Sequence, residues 1–366
     1  MKFIHTADLH LDSALSSIGN RQKANQRRRE LTDTFSRLAS FAATNNIDGV
    51  IVAGDLFDVK NATPSVKRQV ADIIKSAKNV IFFLLAGNHD SKAFDGDFEE
   101  LLPKENVCIL KNGKPMSYGG VVIVGFDDGY DLETIPTFAA DKFNVVVMHG
   151  QTVSGSGDGI NVKKLAGKNI DYLALGHLHA YSQGKIDKRG KYAYCGCLEG
   201  RGFDELGEKG FVIFDTDGNV TFKPFAKRQC REVKVDISGL DSYLTQFDKV
   251  QKELAKYSSE DIYKVILTGE MEEGQKAETL TIEEKLTENQ LVFFAKVVDD
   301  TKLKLDFNKL QKELSLRGEF FRIVSELNVK EIISKLNINE RDEENIKNAI
   351  LKLGFNALDG LGVDDD

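Results

Sequence analysis

Five short polar motifs, each set directly behind an apolar β-type run, limit how this chain can fold more than any other feature. They read Asp8-Leu9-His10, Gly54-Asp55-Leu56-Phe57-Asp58, Gly87-Asn88-His89-Asp90, His149-Gly150 and Gly176-His177-Leu178-His179. The runs before them, residues 2–7, 49–53, 80–85, 144–148 and 172–175, are short and apolar and read as buried strands. In open α/β sheets, loops at the carboxyl ends of strands converge on one crevice. The pattern therefore predicts a fold that gathers motifs distant in sequence along one sheet edge.

The segments between the motifs agree. Leu31, Phe35, Leu38 and Ala42 recur at helical spacing between the first two strands. Thr63-Pro64 supplies an N-cap and a first-turn proline, followed by Val66, Val70, Ile73, Ile74 and Ala77. The resulting β-α-β-α-β order favours parallel strands with crossover helices. Later strands (121–125, 144–148, 172–175, 192–195, 211–215 and 220–225) lie closer together. Asp187-Lys188-Arg189-Gly190 and Asp215-Thr216-Asp217-Gly218-Asn219 read as hairpin turns between some of them. Two facing mixed sheets with helices outside accommodate both halves of this pattern. From about residue 230 the character changes to strands at 230–237, 262–267 and 291–298, with helical stretches at 241–257 and 278–288. Beyond Asn308 everything reads helical, through Leu310, Leu314, Phe320, Phe321, Ile323 and Val324 and then 332–336 and 346–353.

With 366 residues the chain has room for one large domain and a smaller one. No apolar run approaches the roughly 20 residues a membrane span requires. The first motif follows Met1 so closely that no signal peptide is expected, and four cysteines in this length suit a reducing compartment. The expected setting is cytoplasmic, with no membrane. A net charge of −8 argues weakly against nucleic acid. Two bound divalent cations would offset that charge locally, and the first half carries a basic run of Arg21, Lys23, Arg27, Arg28 and Arg29.

All six histidines lie at or before residue 179, and all but His5 fall within the motifs. Neutral imidazole and carboxylate are ligands for manganese, iron and zinc, so the clustering points to bound divalent metal. Asp8 and His10 can share one ion. Asp55 can bridge two with both its oxygens, Asn88 offers a neutral carbonyl, and His177 and His179 can serve one ion each. With His149 the candidate ligands number seven, which suits two ions with positions open for water. His89 is left over, beside a ligand and placed to act on substrate.

In this order the five motifs resemble the calcineurin-like metallophosphoesterase superfamily. Within it, Gly-Asp-Leu-Phe-Asp followed by Gly-Asn-His-Asp is similar to the SbcD-type nuclease subunit of DNA double-strand-break repair complexes. The resemblance implies an α/β fold, a four-layer α/β/β/α sandwich with a small α+β capping domain and a helical C-terminal tail. The corresponding divisions are a nuclease domain at 1–228, a capping and DNA-binding domain at 229–305, and a helical segment at 306–366 that docks on an ATPase partner. It implies two metal ions, manganese above others, the first held by Asp8, His10, Asp55 and His179 and the second by Asp55, Asn88, His149 and His177. His89 would be the catalytic histidine, with Asp58 orienting its imidazole. The implied activity is a DNA exonuclease, with endonuclease action left open, working beside an SMC-like ATPase of the SbcC type. Family members often pair, so a homodimer is also expected. Arg27, Arg28 and Arg29 would meet DNA phosphates, against the plainer reading of a solvated helix start.

Two rival readings stand beside this one: a metallophosphodiesterase acting on small nucleotides, and a non-catalytic adaptor. Val59-Lys60 after Asp58, and Asp90 closing the third motif, depart from the pattern of Ser/Thr phosphatases. His5 reads as a structural strand residue. Cys195 and Cys197 read as plain strand thiols, although the nuclease family often has Gly-Ser where Gly196-Cys197 stands here.

Overall fold

The computed structural model describes residues 1–16, 18–58, 62–90, 94, 97–127, 129–154, 159–272, 275–304, 306–330 and 343–358. The helix expected at 332–336 and the acidic tail lie outside them. The chain divides into two compact units, Met1–Cys230 and Arg231–Asp366. No described helix is long and apolar enough to cross a membrane.

The first unit holds two six-stranded sheets. In the first, β1 (Lys2–Thr6), β2 (Gly49–Ala53), β3 (Ile81–Leu85) and β4 (Val107–Leu110) run parallel. In the second, β5 (Met116–Tyr118) opens the edge, and β6 (Val121–Phe126), β7 (Phe143–His149), β8 (Tyr172–Gly176) and β10 (Lys191–Tyr194) run parallel, with β9 (Ser182–Lys185) antiparallel outside β10. The chain then returns to the first sheet, where β11 (Gly210–Asp215) pairs antiparallel with β1 and carries β12 (Val220–Pro224). Side chains alternate across a strand, and the alternation separates two cores. Phe3, Ile51, Phe83 and Leu85 of the first sheet pack with Ile123, Val145, Val147, Tyr172 and Ala174 of the second. This core lies between the sheets.

On the outer face of the first sheet lies α1 (Arg21–Thr44), whose Phe35 ring meets Phe82 edge-on at 6.4 Å. Beside α1 runs α2 (Pro64–Ser76), with Val70, Ala71 and Ile74 buried, and the short α3 (Asp97–Leu101) adjoins α2. Asn20 caps α1 by accepting the N–H groups of Gln22 and Lys23, so the basic run forms the first turns of the helix instead of preceding it. Thr63 stands at the cap of α2, but its hydroxyl makes no capping bond; Pro64 occupies the first turn as expected. The outer face of the second sheet is covered differently. Leu132 and Leu165 come from 3₁₀ turns at Leu132–Thr134 and Val162–Leu165, and Ile135 and Ile160 from irregular chain. Among the described residues that fourth layer contains no α-helix.

In the second unit, β13 (Cys230–Asp236), β14 (Ile262–Thr268) and β16 (Phe294–Asp299) form a sheet, with β14 and β16 parallel, and the short β15 (Glu270–Met271) pairs with β17 (Lys302–Leu303). Its core takes Val250 and Leu254 from α4 (Tyr243–Leu254) and Ile282 and Leu286 from α5 (Thr279–Glu288). The helices α6 (Phe307–Lys312), α7 (Leu316–Glu326) and α8 (Glu343–Leu358) share Leu310, Phe321, Val324, Leu351 and Phe355 as a small core of their own. They belong to the same compact unit as the sheet, and Lys352 of α8 pairs with Asp299 at the end of β16.

Candidate metal centre

The motifs leave the carboxyl ends of β1, β2, β3, β7 and β8 through tightly specified backbone. Asp8 (φ 52°), His10 (φ 45°), Asp55 (φ 51°) and His177 (φ 96°) all adopt left-handed conformations. Each costs about 1–3 kcal/mol in a non-glycine residue, and such strain collects at functional sites. Backbone bonds lace the first two motifs together: Asp8 N–H donates to Gly54 O (3.1 Å) and His10 N–H to Asp55 O (3.0 Å). Asp90, fully buried, receives the N–H of Gly87 (2.7 Å) and of Phe57 (3.1 Å), joining the second motif to the third. Burial pushes its carboxyl up to about 6.

At the centre, His149 Nε2 lies 3.2 Å from Asp55 Oδ2, and His10 Nε2 lies 3.8 Å from the same oxygen. His179 Nε2 is 3.9 Å from Asp8 Oδ1 and 3.2 Å from His10 Nε2. Asn88 Oδ1 reaches His149 Nε2 at 3.0 Å. The far nitrogens fix the tautomers. His149 Nδ1–H donates to Ala53 O (2.9 Å) and His179 Nδ1–H to Glu205 Oε1 (2.7 Å). His10 Nδ1 sits 3.0 Å from Asp58 Oδ1, outside the angle of a hydrogen bond. Holding Nδ1 as donor leaves Nε2 as a lone pair facing the centre, the usual arrangement of metal-binding histidine. Three overlapping groups have ligand atoms close enough to share an ion: Asp8, His10 and His179; Asp8, Asp55 and His149; and His10, Asp58 and His89.

The charge balance fits metal. Burial pushes the Asp8 carboxyl up to about 7, although His149 and His179 pull the other way. Burial also opposes charge on His149, yet Asp55 and Asp8 raise its pKa to about 9. For His10, burial wins and its pKa falls. Asp8 and Asp55 thus gather positive charge onto His149, a charge that a divalent ion would supply in its place when bound.

Of the seven candidate ligands, Asp8, His10, Asp55, His149 and His179 fall within these groups. Asn88 adjoins through His149. His177 joins no group among the described residues; its N–H donates to both Asp8 oxygens at 3.0 Å, and its ring stands edge-on to His149. His89 is exposed beside the cluster, as a residue free to meet substrate must be. Asp58 departs from the expected role. Its carboxylate faces His10 and Arg201, and it is the Asp58 backbone carbonyl that accepts His89 Nδ1–H at 3.1 Å.

The basic run needs a larger correction. Arg27 is fully buried, pairing with Glu30 (3.2 Å) and Glu199 (2.5 Å) and donating to Gly200 O (2.8 Å). Its position on the inward face of α1 removes it from any phosphate. Arg29 is exposed and Arg28 half-buried. His5 is buried, sharing a hydrogen bond with the Tyr172 hydroxyl (2.9 Å), and burial takes its pKa down to about 3. Cys195 and Cys197 are buried free thiols that burial keeps protonated.

The loop after β10, to which sequence reasoning assigns no role, supplies the surroundings of two ligands. Glu205, held ionised against its burial by His179 and Arg201, takes Arg201 Nη2 at 2.8 Å as well as the His179 proton. Arg201 Nη1 reaches Asp58 Oδ1 at 2.8 Å, and Lys209 Nζ donates to His179 O at 2.7 Å. An acid four residues after a base in an irregular loop has no periodicity to reveal it. The only sequence signal is the density of charge between two buried strands.

Residues 1–181 match the calcineurin-like phosphoesterase family, and the chain carries a phosphoesterase domain of that class. More particularly, it is similar to the DNA double-strand break repair protein Mre11 of Haloferax volcanii, 27% identical over 77% of this chain and 65% of that protein. It is likewise similar to the Mre11 protein of Saccharolobus solfataricus, 23% identical over 82% of each chain, and to the uncharacterized metallophosphoesterase YhaO of Bacillus subtilis, 27% identical over 61% of this chain and 59% of that one. The match thus spans just under two thirds of the Haloferax protein's length.

Proposed function

We propose that this protein is a two-metal DNA nuclease, hydrolysing phosphodiester bonds as an exonuclease with an added endonuclease mode. The observation that carries the reading is the pair of imidazole Nε2 atoms of His10 and His179, 3.2 Å apart and beside Asp8 and Asp55, next to an exposed His89. His179 has committed its Nδ1 proton to Glu205, so its Nε2 turns a lone pair toward His10 Nε2, a pairing that a shared cation would fit. One ion would be held by Asp8, His10, Asp55 and His179, the other by Asp55, Asn88, His149 and His177, with manganese the physiological choice. When bound, such a pair acidifies a water and offsets the charge of the phosphate.

The chain's own residues supply the rest. Asp90 and the strained backbone fix the loops before substrate arrives, so little reorganisation remains at the moment of reaction. The Asp58 carbonyl accepts His89 Nδ1–H, so that the doubly protonated ring turns its Nε2–H to the departing oxygen and gives that proton up, keeping the one on Nδ1. Arg28 and Arg29, at the start of α1, would meet DNA phosphates.

The Mre11 names of the relatives support DNA as substrate over small nucleotides. The α6–α8 region, where Leu314 is 99% and Leu316 80% exposed, is proposed to dock on an SMC-like ATPase of the SbcC type. Pairing of two copies and a cytoplasmic setting complete the reading. The test is incubation of linear and hairpin DNA with manganese, beside bis-p-nitrophenyl phosphate. DNA should be degraded, and His89→Ala should cut the rate by about 10²–10⁴-fold with metal content kept. Hydrolysis of the dye ester alone would favour the small-nucleotide enzyme. A protein that takes up no metal would favour the adaptor.

A further inference from the structure

His10 and His179 are the two imidazoles whose Nε2 atoms nearly touch, and a second path joins them behind the ligands. From His179, Nδ1–H reaches Glu205 Oε1 (2.7 Å), and that same oxygen takes Arg201 Nη2 (2.8 Å) and Nε (3.1 Å). From Arg201, Nη1 reaches Asp58 Oδ1 (2.8 Å), which lies 3.0 Å from His10 Nδ1. Five side chains therefore close a ring, and Arg201 is the one member that touches both carboxylates. His149 is fastened otherwise, to the backbone carbonyl of Ala53. Lys209 supports the same loop, but through the His179 carbonyl, outside the ring.

Resting on the two-metal reading above, we infer that Arg201 is a positioning residue for one ion only, the ion of His10 and His179, by setting the separation of those two rings. A planar guanidinium can hold two carboxylates at a fixed spacing, whereas an ammonium is a single point of charge. The inference also fixes a sign. As a bare positive charge beside a cation site, Arg201 would repel the ion, so its removal would tighten binding. As a spacer it must do the reverse, since partners behind metal ligands are typically worth 10–100-fold in affinity.

The experiment titrates Mn2+ into the metal-free full-length chain by calorimetry, with bound metal counted by elemental analysis, for wild type, Arg201→Gln and Arg201→Lys. Wild type should bind two ions. Both variants should bind one ion with wild-type affinity and the other roughly 10–100-fold more weakly. The retained ion reports that the protein is folded. Arg201→Lys, which keeps the charge, decides the matter should Arg201→Gln fail to fold. Two ions bound as in wild type, tighter binding in Arg201→Gln, or equal weakening of both ions would each overturn the inference while leaving the functional reading intact. Fewer than two ions in wild type would overturn that reading, and the inference with it.

Discussion

The first unit buries charge in two places, and the two are built on opposite terms. Under α1, Glu30 accepts Arg228 (2.6 and 2.8 Å), Lys227 (3.1 Å) and Arg27 (3.2 Å), while Glu199 takes Arg27 and the Thr34 hydroxyl. At the strand ends, Asp8 and Asp55 are as deeply buried, yet the side chains set against them are imidazoles. Burial alone would raise every one of these carboxyls. Under α1 the cations win, and Glu30 falls to about 2; at the strand ends burial wins for Asp8, which rises to about 7. The first cluster is a finished clamp. The second leans on an imidazole, His149, whose pKa Asp55 and Asp8 raise to about 9.

The largest expected effect falls on the clamp. Glu30→Gln leaves Arg27 and Arg228 without their shared carboxylate and should cost about 3–5 kcal/mol in urea denaturation. A loss below about 1 kcal/mol would mean the clamp behaves like a surface pair. The same group predicts a pH dependence. Its folded pKa of about 2 lies below the usual 4.5, so its contribution is complete above 4.5 and is lost as pH falls through 2. At about 1.4 kcal/mol per pKa unit the stability gap between wild type and Glu30→Gln should shrink by about 3 kcal/mol between pH 6 and pH 2.

At the other cluster the sign reverses. Asp8→Asn should stabilise the metal-free protein near pH 8 by about 1–2 kcal/mol, as expected when a strained binding site is relaxed, while manganese uptake drops. A destabilised, metal-free Asp8→Asn would show that the carboxylate is structural after all. The smallest effect separates the neighbours on α1. Replacing Arg28 and Arg29 with Ala should leave stability unchanged, weaken DNA binding and reduce its salt slope by about one for each phosphate no longer neutralised. Arg27→Ala should instead lower the melting temperature and tell nothing about DNA.

The two clusters also mark where the sequence can be read. Strand ends followed by Asp, Asn and His are visible because a period of two in the strand and a turn residue behind it place side chains at one edge. So are the inward residues of α1, Leu31, Phe35, Leu38 and Ala42. Arg27 misleads because a cation near the start of a helix reads as solvated, and nothing local discloses that Glu199 comes to meet it while Arg228 shares Glu30 with it. Arg201 and Glu205 stay hidden for the same reason: their partners lie across the fold, on Asp58 and His179. The fourth layer stays unread because its buried residues, Leu132, Ile135, Ile160 and Leu165, come from 3₁₀ turns and irregular chain, which have no sustained apolar period.

Three residues without side chains impose a last condition. A methyl group at Gly54 would stand 2.1 Å from His149 Nδ1, one at Gly87 2.2 Å from Asp55 Oδ1, and one at Gly176 2.0 Å from the Ala53 carbonyl. Gly54 and Gly176 belong to opposite halves of the sandwich, so alanine at either would act as a wedge that prises both apart at their shared rim. Substitutions there would mimic the loss of a ligand while every ligand was still present. Tolerance to mutation around this cleft is therefore governed by free volume as much as by chemistry.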